Sequence, residues 1–258
     1  MPGFTPAQIL NTWEQAAGRH AVDRALTMLW TVDPVQDYAD LAHLPLGERN
    51  ARLLQLHAGT FGNRMLCCAD CPVCSERLEF SVYAQDVLAA ATSATSSSSE
   101  HTLELDGKVQ KFRLINSLDL AAAAQKGSFG NARQELVRRC ITGDQPSGQL
   151  PAAAEQMSDS FIAQLAAALA AADPLADIVF NLTCPVCGGA WQAPFDIASY
   201  LWEEVRSLAR RLLVEIHTLA SAYGWREADI LALSPARRQA YLELTGTGTQ
   251  KPGELSYG

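Results

Sequence analysis

Four of the seven cysteines stand in two identical turns, Cys71-Pro72-Val73-Cys74 and Cys184-Pro185-Val186-Cys187. A C-x-x-C turn aims two sulfur ligands at one point, and two such turns complete the tetrahedral four-cysteine shell that zinc takes in structural sites. Four protein ligands leave no coordination position for water, so an ion held this way supports structure and does not activate a nucleophile. About 110 residues separate the two turns, against about 15–20 in a local zinc ribbon. What reunites them is context: each turn lies between two strand-like runs, so the expectation is one site, Cys71, Cys74, Cys184 and Cys187, built from two distant halves. An iron–thiolate site uses the same knuckle, including the glycine that follows Cys187, and spacing does not separate it from zinc. A thioredoxin-like dithiol needs a helix after its C-x-x-C, and here a strand follows both. The plain alternative is two tight turns whose thiols never meet. Cys67 and Cys68 precede the first turn, close enough for one to substitute as a ligand, but in a strand alternation sends one inward and one outward, which favours a packed strand residue. Cys140 falls in the apolar pattern of a helix and reads as a small core residue.

The elements that must position these turns follow from pattern. Thr5-Pro6-Ala7-Gln8 combines a helix cap, a proline at the first helical position and a glutamine three residues after the cap. Residues 20–31 and 47–60 carry leucines at helical spacing. Residues 64–70 and 76–82 read as strands around the first turn, and 177–183 and 190–195 as strands around the second, an internal pseudo-repeat. Between them come a Ser-rich segment at 89–99 that reads as a flexible loop, a hairpin over 101–115 around Asp106-Gly107, and helices at 118–126, 131–141 and 158–172. The longest helix, 197–223, places Leu201, Val205, Leu208, Leu212, Ile216, Leu219 and Tyr223 on one face, and Gly224 stops it. A short helix over 225–233 and a final one after Ser234-Pro235 precede a tail. The expected fold is α+β: mostly helical, with a small antiparallel ribbon built from the two CPVC zinc knuckles and the long helix packed across it. Residues 1–246 are expected to form a single domain, because a shared metal site ties residue 71 to residue 184, with 247–258 as the tail.

Composition narrows the function classes. At 258 residues, 48% apolar and 19% charged, the chain can bury a real core and is neither fibrous nor wholly disordered. No apolar run reaches the roughly 18 residues of a membrane span. The N-terminal residues do not resemble a secretory signal, so cytoplasmic residence and reduced cysteines are expected. A net charge of −8 has the wrong sign for a surface that follows nucleic-acid phosphates. Arg206, Arg210 and Arg211 form a basic strip on the long helix, interspersed with Glu203, Glu204 and Glu215, and read as a solvated face. The five histidines are scattered without ligand spacing. No G-x-S-x-G, Walker A or G-x-G-x-x-G context occurs, and no nucleophile, base or carboxylate pair stands out. Trp191, Trp202 and Trp225 read as core.

Three segments together give the chain a family resemblance: LPLGERNARLLQLHAGTFG running into ADCPVCSERLEFSV, then DPLADIVFNLTCPVCGGAWQAPFDIASYLWEEV, then YGWREADILALSPARRQAYLEL. In that order they resemble the T4-type bacteriophage baseplate protein family of contractile phage tails and phage-tail-like contractile injection systems. The resemblance covers most of the chain apart from the Ser-rich segment and the tail. It implies a non-enzymatic structural or assembly role in the baseplate, with other baseplate or tail proteins as partners, in the cytoplasm or within an assembled particle. The metal rests on the cysteine spacing alone. Two competing readings are a zinc-ribbon nucleic-acid-binding adaptor, drawing on the two knuckles and the arginine strip, and an enzyme with a structural zinc.

Overall fold

The computed structural model describes residues 2–92, 101–105, 108–142 and 159–246. The chain opens with α1 (Pro6–Ala16), α2 (Ala21–Val32), α3 (Tyr38–His43) and α4 (Leu46–Phe61). The capping box anticipated for α1 is formed: the Gln8 N–H donates to Thr5 Oγ1 (3.2 Å) and the Thr5 N–H to Gln8 Oε1 (2.9 Å). A first hairpin pairs β1 (Arg64–Asp70) with β2 (Arg77–Tyr83), in the register Arg64 to Tyr83 and Asp70 to Arg77. Helix α5 (Ala84–Thr92) follows directly. Residues 89–92 are therefore helical rather than part of a flexible loop. The alanines that make this stretch look featureless are strong helix formers, and Ala84 and Ala91 are buried. The remainder of that expected loop lies outside the described residues.

The middle of the chain holds β3 (His101–Leu105), β4 (Lys108–Phe112), α6 (Ser117–Ala124), α7 (Phe129–Cys140), β5 (Ile141–Thr142) and α8 (Asp159–Ala172). Strands β3, β4 and β5 form one antiparallel sheet. It has its own small core of Phe112, Val137, Ile162 and Leu165. The expected turn at 106–107, the segment GDQPSGQLP, which its Gly, Pro and Gln content marks as an exposed loop between helices, and the tail from 247 all fall outside the described residues. A second hairpin, β6 (Ile178–Thr183) with β7 (Ala190–Phe195), leads into α9 (Ile197–Tyr223), α10 (Glu227–Ala232) and α11 (Pro235–Leu244).

The molecule is mostly helical with small antiparallel sheets, an α+β arrangement. The two hairpins stay separate two-stranded sheets and do not merge into one ribbon. Helix α9 packs against α1, α2, α4, α10 and α11, because its apolar stripe runs its whole length: Leu201, Val205, Leu212, Ile216 and Leu219 are buried in the main core. Gly224, at φ 69°, ends it in the left-handed conformation that a β-carbon disfavours. Among the described residues, no helix is long and apolar enough to cross a membrane.

Distant segments are joined by buried polar contacts that the sequence pattern does not show. Helix α4 has Pro45 as its N-cap and no side-chain cap of its own. Asp173, 126 residues away, accepts from the Gly47 N–H instead (3.0 Å). A β-carbon at position 47 would lie 1.6 Å from Asp173 Oδ1, so only glycine admits this cap. Next to it, buried Arg49 donates to Asn50 Oδ1 and Ser117 Oγ, and Asn50 Nδ2 donates to the Leu175 carbonyl (2.7 Å). The segment 46–50 is thus tied to α6 and to the entry of the second hairpin.

Candidate metal centre

Both C-x-x-C turns have the same backbone plan. The Cys71 N–H donates to Glu76 O (2.8 Å) and the Ser75 N–H to Cys71 O (2.9 Å). In the second turn the Cys184 N–H donates to Gly189 O (2.8 Å) and the Gly188 N–H to Cys184 O (2.9 Å). Each turn swings through one left-handed residue, Ser75 at φ 61° and Gly188 at φ 72°. The first cysteine of each pair, Cys71 and Cys184, is buried, and the second, Cys74 and Cys187, is exposed.

The two turns face each other and their sulfurs cross-pair: Cys71 Sγ lies 3.6 Å from Cys187 Sγ, and Cys74 Sγ 3.6 Å from Cys184 Sγ. All four sulfurs lie within 4.8 Å of one another. A tetrahedral ion with metal–sulfur bonds of about 2.3 Å requires sulfur–sulfur edges of about 3.8 Å, so the cluster is close to the size such an ion needs. The four cysteines are free thiols. The donor set is all sulfur and closed, which suits a thiophilic metal ion held by the protein alone. Among the described residues this is the one group of three or more His, Cys, Asp or Glu side chains close enough to share an ion.

Crowding divides the thiols. The Cys71 thiol is drawn down to about 7, chiefly by the Cys74 backbone N–H against the cost of burial, with help from the Val73 N–H. At Cys74 the Glu76 N–H also lowers the value, but the neighbouring sulfurs of Cys187, Cys184 and Cys71, together with desolvation, push it up to about 12. Four thiolates need a cation among them, so metal binding releases protons here.

The surroundings hold the turns in place. Tyr200 on α9 pins the outer edge of β1: its hydroxyl accepts from the Leu66 N–H (3.0 Å) and donates to the Leu66 carbonyl (3.3 Å). A row of rings runs inward from the hairpins, Phe80 to Phe180 to Phe195 to Tyr200 to His57 to Phe61, with successive centroids 5.4–6.0 Å apart. Among the described residues neither ring nitrogen of His57, buried in that row, finds a hydrogen-bond partner, and burial pushes its pKa down. Gly189 lies beside Val73 of the opposite turn. A β-carbon there would sit 3.2 Å from Val73 Cγ2 and 3.3 Å from Cys187 Sγ.

The four cysteines singled out in the sequence are all brought together. The other three are not part of the cluster. Cys67 packs against the main core and Cys68 is exposed, as strand alternation predicts, and Arg77 Nη2 donates to the Cys68 sulfur (3.0 Å). Cys140 is buried, and burial raises its thiol to about 12. On the arginine strip, Arg206 pairs with Glu203 (3.0 Å) and Arg211 with Glu215 (3.8 Å). Trp202 is buried, with the Arg24 guanidinium 5.0 Å from its ring centroid. Tyr200 and Gly189 carry no sequence signal. Their roles depend on neighbours more than 100 residues away or in the opposite hairpin. Comparison with protein-family models, curated proteins and solved structures finds no match to this chain.

Proposed function

We propose that this chain is a non-enzymatic structural or assembly component of a contractile phage-tail or phage-like injection-system baseplate, stabilised by zinc at Cys71, Cys74, Cys184 and Cys187. The observation that carries the metal half of this reading is the four-sulfur cluster, within 4.8 Å, assembled from turns far apart in sequence. Zinc is favoured over iron because a closed four-cysteine shell without redox demand is the common structural use of zinc. The baseplate half rests on the resemblance of the three sequence segments quoted above. A site with no open coordination position, in a chain whose sequence offers no reactive constellation, suits a protein that works through its surfaces. On this reading the ion staples two hairpins that, among the described residues, no strand pairing joins.

The first experiment is elemental analysis of purified chain beside Cys71→Ser and Cys184→Ser variants. One zinc per chain, lost in both variants together, is the expected result. One iron per chain replaces zinc in the reading, and no metal under reducing, chelator-free conditions removes the shared site. The role is tested in cells of a strain encoding a contractile particle: deleting the gene is expected to abolish sheath-bearing particles, and normal particles after deletion would overturn it. For the adaptor alternative, duplex binding that weakens steeply with salt would be the supporting result. The pairing of Arg206 and Arg211 with glutamates argues against it.

A further inference from the structure

A groove of about 620 Å³ separates the two hairpins, lined by residues 80–83 of β2 on one side and 178–182 of β6 on the other. These are unbroken runs. Side chains on a strand alternate between faces, so a wall made by a sheet face would contribute every second residue. Consecutive residues on both walls mean that strand edges face the groove. Among the described residues, β2 pairs with β1 alone and β6 with β7 alone, so both edges lack a strand partner.

Such edges are usually blunted by a charge, a proline or a bulge, because they otherwise recruit another strand. Strand β6, Ile178-Val-Phe-Asn-Leu-Thr183, has neither a charge nor a proline. The groove is apolar where it meets the core, through Val87 and Leu175, and Tyr83 and Val179 leave apolar surface exposed at its walls. Among the described residues its only charged lining groups are Asp86 and Asp177, both exposed. An incoming segment therefore meets backbone donors and acceptors, apolar surface and negative charge.

We propose that this groove is a strand-addition site for an extended segment of another protein, one that alternates apolar with polar residues and carries a basic group to meet Asp86 and Asp177. Main-chain hydrogen bonds to the β2 or β6 edge supply affinity, and the alternating side chains supply selectivity. The sulfur cluster ties the tips of the same two hairpins, so whatever holds that cluster also sets the groove's width. This deepens the assembly reading by naming its docking surface. It rests on that reading only where the other protein is taken to be a baseplate or tail protein.

The test selects binders for the zinc-loaded full chain from a displayed library of random peptides about twelve residues long, then maps them by amide hydrogen exchange. Expected are sequences alternating apolar and basic residues, with exchange slowed at least about tenfold within 80–83 or 178–182. The double variant Asp86→Lys, Asp177→Lys, altered only at exposed positions, should keep its metal and bind the same peptides about tenfold or more weakly. N-methylation of alternate peptide amides should abolish binding. The proposal is overturned by an empty selection, by peptides that bind as helices or protect other residues, or by equal binding to the double variant. Failed selection, with particles lost on gene deletion, sinks the groove and leaves the assembly reading. Confirmed peptide binding, with normal particles after deletion, sinks the assembly reading and leaves the groove.

Discussion

The two hairpins share a turn and differ in almost everything around it. In the first, the turn contains Ser75 and Glu76, and the strand before it is fastened sideways to α9 by the Tyr200 hydroxyl. In the second, the same positions hold Gly188 and Gly189, and the strand after it runs straight into α9, whose N-terminus Asp196 caps by accepting from the Ala198 N–H (2.9 Å). One hairpin is held to the long helix through a side chain, the other through the chain itself. Identical ligands on unlike supports imply that what the two halves must match is the sulfur geometry, while each solves its attachment to the core separately.

The strongest way to break that comparison is to remove one ligand from each side. If the halves form one site, Cys71→Ser and Cys184→Ser should be equivalent despite their different supports: both lose the metal, and both lower the unfolding midpoint by a similar, large amount. Structural zinc is worth on the order of 10 kcal/mol in zinc-finger peptides at neutral pH, more than enough to dominate a domain's net stability of about 5–15 kcal/mol. Thermal unfolding with and without chelator checks this, and retained metal in either variant would show that the halves are independent.

The next effect lies at Gly189. Its counterpart Glu76 has a side chain, yet a β-carbon at 189 presses on Val73 and Cys187 at 3.2 and 3.3 Å. Gly189→Ala should therefore cost about 1–2 kcal/mol, the lower part of the overpacking range because Val73 is exposed and has room to give, while Glu76→Ala should change little. Denaturant midpoints of the two variants measure the asymmetry directly. A smaller pair probes the supports. Tyr200→Phe removes two hydrogen bonds to β1, and Asp196→Ala removes the cap of α9. Each should cost about 1 kcal/mol without loss of metal. Amide exchange should speed up around Leu66 for Tyr200→Phe and at the start of α9 for Asp196→Ala.

What is legible in the sequence follows the range of the interaction responsible. The C-x-x-C turns, the α1 capping box and the α9 stripe are set by residues within a few positions of one another, and all three are formed. The juxtaposition of the cysteine pairs is inferable only because the turn and its flanking strands recur. Helix α5 escapes detection where alanine-rich sequence looks featureless, since its burial depends on where β2 delivers it. The Gly47–Asp173 cap and the Tyr200 hydroxyl link are invisible for the same reason: each joins positions more than 100 residues apart, and neither glycine nor tyrosine announces a partner. The groove between β2 and β6 depends on the relative placement of two sheets, which no local pattern encodes.

The finest difference between the hairpins is the left-handed residue of each turn. Ser75 and Gly188 occupy the same place at φ 61° and 72°, but a β-carbon makes that conformation costly by about 1–2 kcal/mol, and glycine avoids the cost while losing more freedom on folding. Exchanging the two should therefore act in opposite directions. Ser75→Gly should raise stability by about 0.5 kcal/mol once the entropy of the unfolded chain is counted, and Gly188→Ser should lower it by about 1 kcal/mol. Among the described residues, none beyond the two chain neighbours comes within 4 Å of a β-carbon at 188, so the second effect isolates backbone strain from packing. Metal content should be unchanged in both variants, because the turn's hydrogen bonds use main-chain atoms that either residue provides. Equal and opposite shifts in the unfolding midpoint would mean the two turns are energetically interchangeable. A much larger loss at 188 would mean the second turn, which feeds α9 directly, carries the greater share of the constraint.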